Sequence, residues 1–302
     1  MYRIRFHGRG GDGMKTASRI LGSSFFIEGY QVQDAPKYGA ERRGAPVFAY
    51  VRADHNPIYE RGEIHKPDLI VIADETLLQV TPQTVLEGAD KNTVILIISD
   101  KSSTELEKLI TSVKRVISIN PPDFDLNSHY FLSTITSAAS ACLTGVIKLN
   151  TLLQSIELEL NPVKAGLLNE NISIAEKIFD KLKIFSGIVT ENKEKINLSD
   201  PRLIVLPLHN SSIATPVIRK SSNSIKSNTG TWRTVRPVIN YDECSRCMLC
   251  DIYCPDGVIT ENENGFPVID YVHCKGCLIC AEICPAHAIK KEDEKSFRSN
   301  TV

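Results

Sequence analysis

The sequence lacks a long hydrophobic run, an apolar leader and an excess of charge of one sign. No stretch of its 302 residues approaches the roughly 18–20 apolar residues that a membrane helix needs. The first residues, MYRIRFH, contain no apolar signal core, so we expect a cytoplasmic location. With 35 basic and 36 acidic residues, the chain has no overall charge to attract nucleic acid. The sequence therefore predicts neither a membrane nor a nucleic-acid partner.

Aromatic residues are also few, but the chain has enough apolar residues for a sizeable core. Apolar residues make up 42% and charged residues 24% of the sequence, which is close to ordinary globular usage. This composition excludes disordered, collagenous and coiled-coil proteins. The length favours two domains over one.

Strand and helix patterns alternate along the first half of the sequence. Residues 69–73 and 94–98 are unbroken aliphatic runs, typical of parallel strands that are buried on both faces. Further strands are predicted at 2–6, 30–33, 47–51 and 113–119, and helices at 14–28, 75–88, 103–111, 131–149, 152–160 and 162–182. The pattern predicts an α/β, doubly wound domain over residues 1–186.

A weakly patterned segment follows at residues 187–238. Between residues 201 and 238 it has six basic residues and no acidic ones. Two interpretations remain open for it: a solvated linker, or an ordered arm that docks on an acidic partner surface.

Eight of the nine cysteines lie close together near the C-terminal end. Cys142 stands apart in a helical pattern, where we expect it to be a small buried apolar residue. The others form two C-x2-C-x2-C-x3-C-P runs thirty residues apart, which is the spacing of bacterial ferredoxins with two 4Fe–4S clusters. Dense cysteines in a reducing compartment indicate metal rather than disulfides. Residues 239–302 are therefore predicted to form a small α+β ferredoxin-like domain.

In this spacing, the fourth cysteine of each run belongs to the other cluster. We expect one cluster to be held by Cys244, Cys247, Cys250 and Cys284, and the other by Cys274, Cys277, Cys280 and Cys254. The alternative is a pair of zinc sites, but a zinc ribbon needs only two C-x2-C pairs. Residues 241–292 contain nine acidic and four basic residues, which favours low reduction potentials.

A glycine loop follows the first predicted strand. Gly8, Gly10 and Gly13 match G-x-G-x-x-G, and Asp34 lies 21 residues beyond Gly13, as in a dinucleotide-binding fingerprint. An NAD-linked oxidoreductase is therefore one alternative, and a glycine turn for close strand–helix packing is another. Gly11-Asp12-Gly13 could also open a thiamine-diphosphate motif, but no asparagine pair follows. We expect no thiamine binding by this chain alone.

Two sets of motifs resemble subunits of one enzyme family. FHGRGGDG at 6–13 and YGAERRGAPV at 38–47 resemble the gamma subunit of 2-oxoacid:ferredoxin oxidoreductases of the pyruvate kind. TGTWR at 229–233, YCPDG at 253–257 and the eight cysteines resemble the delta subunit. The resemblance implies a natural fusion of gamma and delta subunits.

In that family, thiamine diphosphate and Mg²⁺ lie on the alpha and beta subunits and coenzyme A accepts the acyl group. Electrons then pass through the delta clusters to ferredoxin, so no catalytic residue is expected in this chain. The resemblance makes one set of residues candidates for coenzyme A or for a subunit interface: Gly8, Gly10, Gly11, Gly13, Arg42 and Arg43. The two arginines suit phosphate binding or ion pairing across an interface equally.

The sequence departs from the family at two positions. Asp12 stands where glutamine is usual, which argues against a phosphate contact there, and Met248 stands where glycine is usual. The Arg-Arg-Gly-Ala-Pro form favours pyruvate as the substrate. Another 2-oxoacid such as oxalate, which needs no coenzyme A, and a scaffold with purely structural clusters are the remaining alternatives.

Overall fold

The structure is a computed structural model that describes residues 1–37, 44–80, 82–111, 113–124, 131–164, 167–191 and 228–298. The chain divides into two units, Met1–Asn192 together with Phe297–Val302, and Lys193–Ser296. We describe each unit by itself. In the described ranges, no helix is long and apolar enough to span a membrane.

A six-stranded mixed sheet lies at the centre of the N-terminal unit, in the order β2-β3-β1-β4-β5-β6. The strands are β1 Tyr2–Arg9, β2 Gln31–Lys37, β3 Pro46–Asp54, β4 Leu69–Ile72, β5 Val94–Ile98 and β6 Arg115–Ile119. Strands β1, β4, β5 and β6 are parallel, whereas β3 is antiparallel to both β1 and β2. The buried parallel strands are as predicted. The antiparallel pair arises because β2 and β3 are joined by too few residues for a crossover helix.

Helices cover both faces of this sheet. On one face, Leu69, Val71 and Leu96 belong to a core shared with α1 Met14–Ile27, α5 Leu132–Thr144, α6 Leu149–Lys164 and α7 Leu168–Leu182. On the other, Ile70, Ile72 and Ile95 pack with residues of α2 Leu77–Val80, α3 Pro82–Val85 and α4 Ser103–Leu109. Adjacent strand residues point to opposite faces, so these aliphatic runs are buried on both sides.

Three of the predicted helix boundaries are wrong. The helix predicted over 131–149 is α5, which ends at Thr144. The helix predicted over 75–88 is two short helices, α2 and α3. The break predicted between residues 160 and 162 is absent, since α6 continues to Lys164. The fixed φ of a proline suits a helix, so a proline in the last turn costs one hydrogen bond without ending the helix there. Short 3₁₀ helices at Pro121–Phe124 and Lys183–Phe185 complete this unit.

The C-terminal unit consists of two antiparallel β-ribbons and short helices. Strand β7 Val235–Ile239 pairs with β10 Ile289–Asp293, and β8 Ile259–Glu261 pairs with β9 Pro267–Ile269. The helices are the 3₁₀ turn Thr229–Trp232, α8 Leu249–Ile252, α9 Ile279–Glu282 and α10 Lys295–Arg298. The segment predicted as a linker, 187–238, is described only at 187–191 and from residue 228, and its end forms the 3₁₀ turn and most of β7.

Candidate metal centres and the glycine loop

Each cysteine run folds as a tight loop followed by one turn of helix. Arg246 and Met248 have φ values of 58° and 57°, and thirty residues later Gly276 and Leu278 have 67° and 64°. A left-handed backbone costs a residue with a side chain about 1–2 kcal/mol, and such conformations are concentrated at functional sites. Met248 therefore adopts a conformation that the usual glycine would adopt without this cost, and the loop keeps its shape.

The last cysteine of the first run lies with the cysteines of the second run. A cavity of about 340 Å³ is lined by Cys254, Cys274, Cys277 and Cys280, together with apolar side chains that include Ile259 and Ile269. The cavity brings together the four cysteines that the spacing assigns to one cluster. Its apolar lining limits the access of water to Cys274 and Cys280, which are buried, whereas Cys277 is exposed.

The other four predicted ligands occupy the matching positions thirty residues away. Cys247 is exposed like Cys277, Cys250 is buried like Cys280, and Cys284 is half-buried like Cys254. Cys244 differs from its counterpart Cys274, because Cys244 is half-buried and Cys274 is buried. None of the nine cysteines, the buried Cys142 included, forms a disulfide.

The thiols fit a metal cluster by their chemistry. Burial raises the pKa of the Cys280 thiol to about 12 and also raises the pKa values of Cys250 and Cys274. A buried thiolate of this kind needs a nearby cation to balance its charge. In the described part of the chain, no three such side chains are close enough together to hold a single metal ion. Four soft sulfur donors that line one cavity suit a cluster of several irons.

A buried arginine holds the second loop, a role that no local pattern in the sequence indicates. Arg233 donates two hydrogen bonds to Glu294, of 2.6 and 2.9 Å, and Nη1 donates to the carbonyl oxygens of Cys274 at 2.6 Å and Tyr271 at 3.0 Å. Arg236 donates to the same carboxylate at 2.8 and 3.0 Å. Although burial raises it, the two arginines lower the pKa of Glu294 to about 2.

The glycine loop joins the end of β1 to the start of α1. A Cβ atom on Gly8 would lie 2.5 Å from Cγ of Met14, so this glycine allows close strand–helix packing. Gly11 and Gly13 have φ values of 113° and 75°, which favour glycine. The amide of Gly10 donates to the carbonyl of Ala45 at 2.8 Å. A Cβ atom on Gly11 would have none of the described atoms within 4 Å, so the described residues leave the backbone uncovered there.

The departure at Asp12 has a structural explanation. Its carboxylate accepts a hydrogen bond of 2.7 Å from the amide of Arg9, which closes the loop on itself. The Arg9 guanidinium is also used inside the fold, since it pairs with Asp74 and donates to the carbonyl of Gly44 at 2.9 Å and to Thr76 at 2.6 Å. Burial raises the pKa of Asp74, but the Arg9 charge and the hydrogen bonds from Thr76 and Arg9 together outweigh burial, so the net shift of the pKa is downward.

The other predicted residues of this region differ in their placement. Asp34, the acidic residue of the NAD alternative, accepts a hydrogen bond of 2.7 Å from the Ser18 hydroxyl of α1. Arg42 and Arg43 lie outside the described residues.

Alternate residues of β1 form a buried basic row that sequence reasoning missed. Arg3, Arg5, His7 and Arg9 are all 4% exposed or less. In the described structure neither ring nitrogen of His7 has a hydrogen-bond partner, and the ring borders a polar cavity of about 290 Å³. Burial, with a contribution from Arg5, lowers the pKa of His7 to about 3. The strict alternation of basic and apolar residues after Met1 was the available signal.

Comparison with known proteins gives two family matches. Residues 3–181 match the pyruvate ferredoxin/flavodoxin oxidoreductase family, and residues 267–290 match the 4Fe-4S binding domain. The chain is 37% identical over 189 residues to the pyruvate/ketoisovalerate oxidoreductases common subunit gamma of Pyrococcus abyssi, covering 61% of this chain and 99% of that protein. It is 33% identical over 183 residues to pyruvate synthase subunit PorC of Methanocaldococcus jannaschii, covering 60% and 97%.

Among solved structures, the pyruvate oxidoreductase subunit PORC of Thermotoga maritima matches with a TM-score of 0.48 and 26% identity, over 59% of this chain and 95% of that one. The family matches, together with the mixed α/β unit and the cysteine-rich C-terminal unit, are consistent with one another. The chain belongs to the pyruvate ferredoxin/flavodoxin oxidoreductase family, as a gamma-type subunit of a 2-oxoacid:ferredoxin oxidoreductase that also carries a 4Fe-4S binding domain.

Proposed function

We propose that this chain is a fused gamma–delta subunit of a pyruvate:ferredoxin oxidoreductase. One observation carries the proposal. Gamma subunits are matched along 99% of their own length by 61% of this chain, and the remainder contains two complete four-cysteine runs. The TGTWR and YCPDG motifs, which resemble the delta subunit, lie in that same remainder.

The two runs hold two 4Fe–4S clusters in the crossed arrangement. Cys254 joins Cys274, Cys277 and Cys280, and the cavity that these four residues line supports this assignment. By the same thirty-residue repeat, Cys284 joins Cys244, Cys247 and Cys250. When bound, the clusters supply one-electron transfer between the thiamine-diphosphate site of the partner subunits and ferredoxin.

The glycine loop of the gamma-type domain faces coenzyme A or a neighbouring subunit. Support comes from Gly11, whose backbone the described residues leave uncovered, and from the first turn of α1, which has no acidic residue. Backbone amides at a helix N-terminus favour anions. Asp12 is turned back onto the Arg9 amide, so the loop presents mainly backbone. Arg42 and Arg43 complete this surface in the proposal, either at a phosphate or at a subunit interface.

Pyruvate is the substrate that the sequence favours. The Arg42-Arg43-Gly44-Ala45-Pro46 form resembles the pyruvate group. Both named relatives are subunits of enzymes whose names include pyruvate, in one case together with ketoisovalerate. The alternatives differ in their requirements: an oxalate-type enzyme needs no coenzyme A, an NAD-linked enzyme reduces or oxidises a nicotinamide, and a scaffold carries no electrons. Thiamine diphosphate and Mg²⁺ are placed on the alpha and beta subunits.

The test is an anaerobic assay of the complex purified through this chain. We expect pyruvate to drive reduction of viologen and of ferredoxin only when coenzyme A is present. A complex with Cys277→Ser is the matched control, and it should keep pyruvate decarboxylation at the thiamine site while losing rapid ferredoxin reduction.

Reduction driven by oxalate without coenzyme A would show that oxalate, rather than pyruvate, is the substrate. NADH formation with pyruvate would support the NAD alternative. Full ferredoxin reduction by the Cys277→Ser complex would refute the role of this chain in electron transfer.

A further inference from the structure

The C-terminal unit is an internal duplication whose two halves have nearly the same backbone. Ile239 pairs with Ile289 across β7 and β10, and thirty residues away Ile269 pairs with Ile259 across β9 and β8. Tyr271 donates its hydroxyl to the carbonyl of Pro237 at 2.8 Å, and its counterpart Tyr241 donates to Pro267 at 3.3 Å. The two cluster loops are therefore held by equivalent scaffolds.

The side chains beside the two loops are not equivalent. Next to the second loop, Arg233 is 3% exposed and donates to the Cys274 carbonyl at 2.6 Å. The residue thirty positions after Arg233 is Glu263, which is exposed. Likewise the counterpart of Arg236 is Phe266, which forms an edge contact with Tyr241. The second loop thus has a buried cation where the first has an exposed acid.

The second loop is also shaped to admit this arginine. Gly276 lies between Cys274 and Cys277, and a Cβ atom on it would lie 2.5 Å from Cγ of Arg233 and 2.3 Å from the carbonyl oxygen of Val235. The matching position in the first loop is Arg246, which is exposed and rests on the Phe266 ring at 4.0 Å. Only the second loop has room for a buried guanidinium against its backbone.

We propose that Arg233 is a positioning residue that makes the two clusters unequal, raising the reduction potential of the cluster held by Cys254, Cys274, Cys277 and Cys280 above that of the other. The inference rests on the proposed function, in that it requires both clusters to be bound. A fixed positive charge that is shielded from water favours the extra electron of a reduced cluster, because interactions are stronger in a low dielectric. The exposed charges beside the first loop are screened by solvent.

Glu294 fixes the position of the arginine. Its carboxylate receives two hydrogen bonds from Arg233 and two from Arg236, and it is itself 3% exposed. The paired geometry leaves Nη1 of Arg233 for the two loop carbonyls of Tyr271 and Cys274. Opposite changes of charge at Arg233 and Glu294 should therefore shift the same potential in opposite directions.

The test is an EPR-monitored redox titration of the full chain, purified anaerobically. Cys247→Ala leaves the second cluster as the reporter and Cys277→Ala leaves the first. In the Cys247→Ala background, Arg233→Gln should lower the reduced-to-oxidised ratio at a fixed potential about tenfold, a shift of ~59 mV for one electron. Glu294→Gln should raise the reduced-to-oxidised ratio, and Arg233→Lys should keep this ratio close to that of the parent chain.

The controls separate charge from folding. In the Cys277→Ala background, Arg233→Gln should leave the potential of the first cluster unshifted. In the Cys247→Ala background, Glu263→Gln should leave the potential of the second cluster unshifted. If Arg233→Gln does not fold, the upward shift with Glu294→Gln decides the question. If the wild-type chain binds eight irons but the variants show no selective shift in reduction potential, this inference alone is overturned. A chain that binds no clusters would overturn the proposed function as well.

Discussion

Replacing His7 should remove a pH dependence from the stability of the N-terminal unit. The imidazole is 1% exposed on the central strand β1, lies edge-on to the Phe48 ring at 5.0 Å between centroids, and has a pKa lowered to about 3 by burial. The ordinary value for histidine is about 6.5. Between these two values the unfolded chain binds a proton that the folded chain does not.

The sign and size of the effect follow from this difference. The stabilisation is complete above the unfolded pKa and is lost as the pH falls, by about 1.4 kcal/mol per pH unit. Between pH 7 and pH 5, wild type should therefore lose about 2 kcal/mol that a His7→Gln variant keeps. Asp68 acts in the opposite direction, because burial raises its pKa to about 7. Asp68 is present in both proteins, so their difference isolates His7.

The assay is urea unfolding at pH 7, 6 and 5, followed by far-ultraviolet circular dichroism. The long described helices α1, α5, α6 and α7 all belong to the N-terminal unit, so the signal reports mainly on it. The free energy of unfolding of wild type minus that of His7→Gln should decrease steadily as the pH is lowered from 7 to 5. A difference that stays constant over this range would refute a buried neutral imidazole at this position.

Three further outcomes are expected. Cys254→Ser should abolish the EPR signal of the cluster assigned to the second run and spare the one beside it in sequence; the reverse loss would overturn the crossed ligand sets. Gly230→Ala should lower stability by about 1–3 kcal/mol, measured by fluorescence of the single tryptophan, because its Cβ would lie 2.1 Å from the carbonyl oxygen of Tyr271. Cys142, whose pKa burial raises to about 11, should resist iodoacetamide at pH 8 until urea is added, and labelling of Cys142 itself in the native chain would contradict this.

Local signals in the sequence were sufficient for much of the fold. The aliphatic runs of β4 and β5 indicated buried parallel strands because a strand covered on both faces needs apolar residues at every position. The antiparallel placement of β2 and β3 could not be read in the same way, since pairing direction depends on which strand the chain returns to. The pattern predicted α2 and α3 as one helix because hydrophobic periodicity does not resolve single helical turns.

In the candidate site, too, local spacing predicted some residues, whereas only the structure revealed others. The cysteine spacing alone predicted eight ligands in two crossed sets, because a loop that wraps a cluster must place its sulfurs within a few residues of one another. Arg233 and Glu294 could not be paired from the sequence, since they lie 61 residues apart and meet only where β7 and β10 come together. In the sequence, Arg233 was only one of six basic residues between residues 201 and 238 and the last residue of the TGTWR motif.

Residue order by itself therefore determined the family and the layers of the α/β unit and predicted the cluster ligands, because each depends on short spacing or on an unbroken apolar pattern. Only the tertiary structure decided which charges are buried. Among the described residues His7 has no hydrogen-bond partner, because β1 lies within a sheet covered on both faces. Arg233 meets Glu294 because β7 pairs with β10. Burial and long-range pairing depend on distances between segments remote in sequence, which local patterns do not carry.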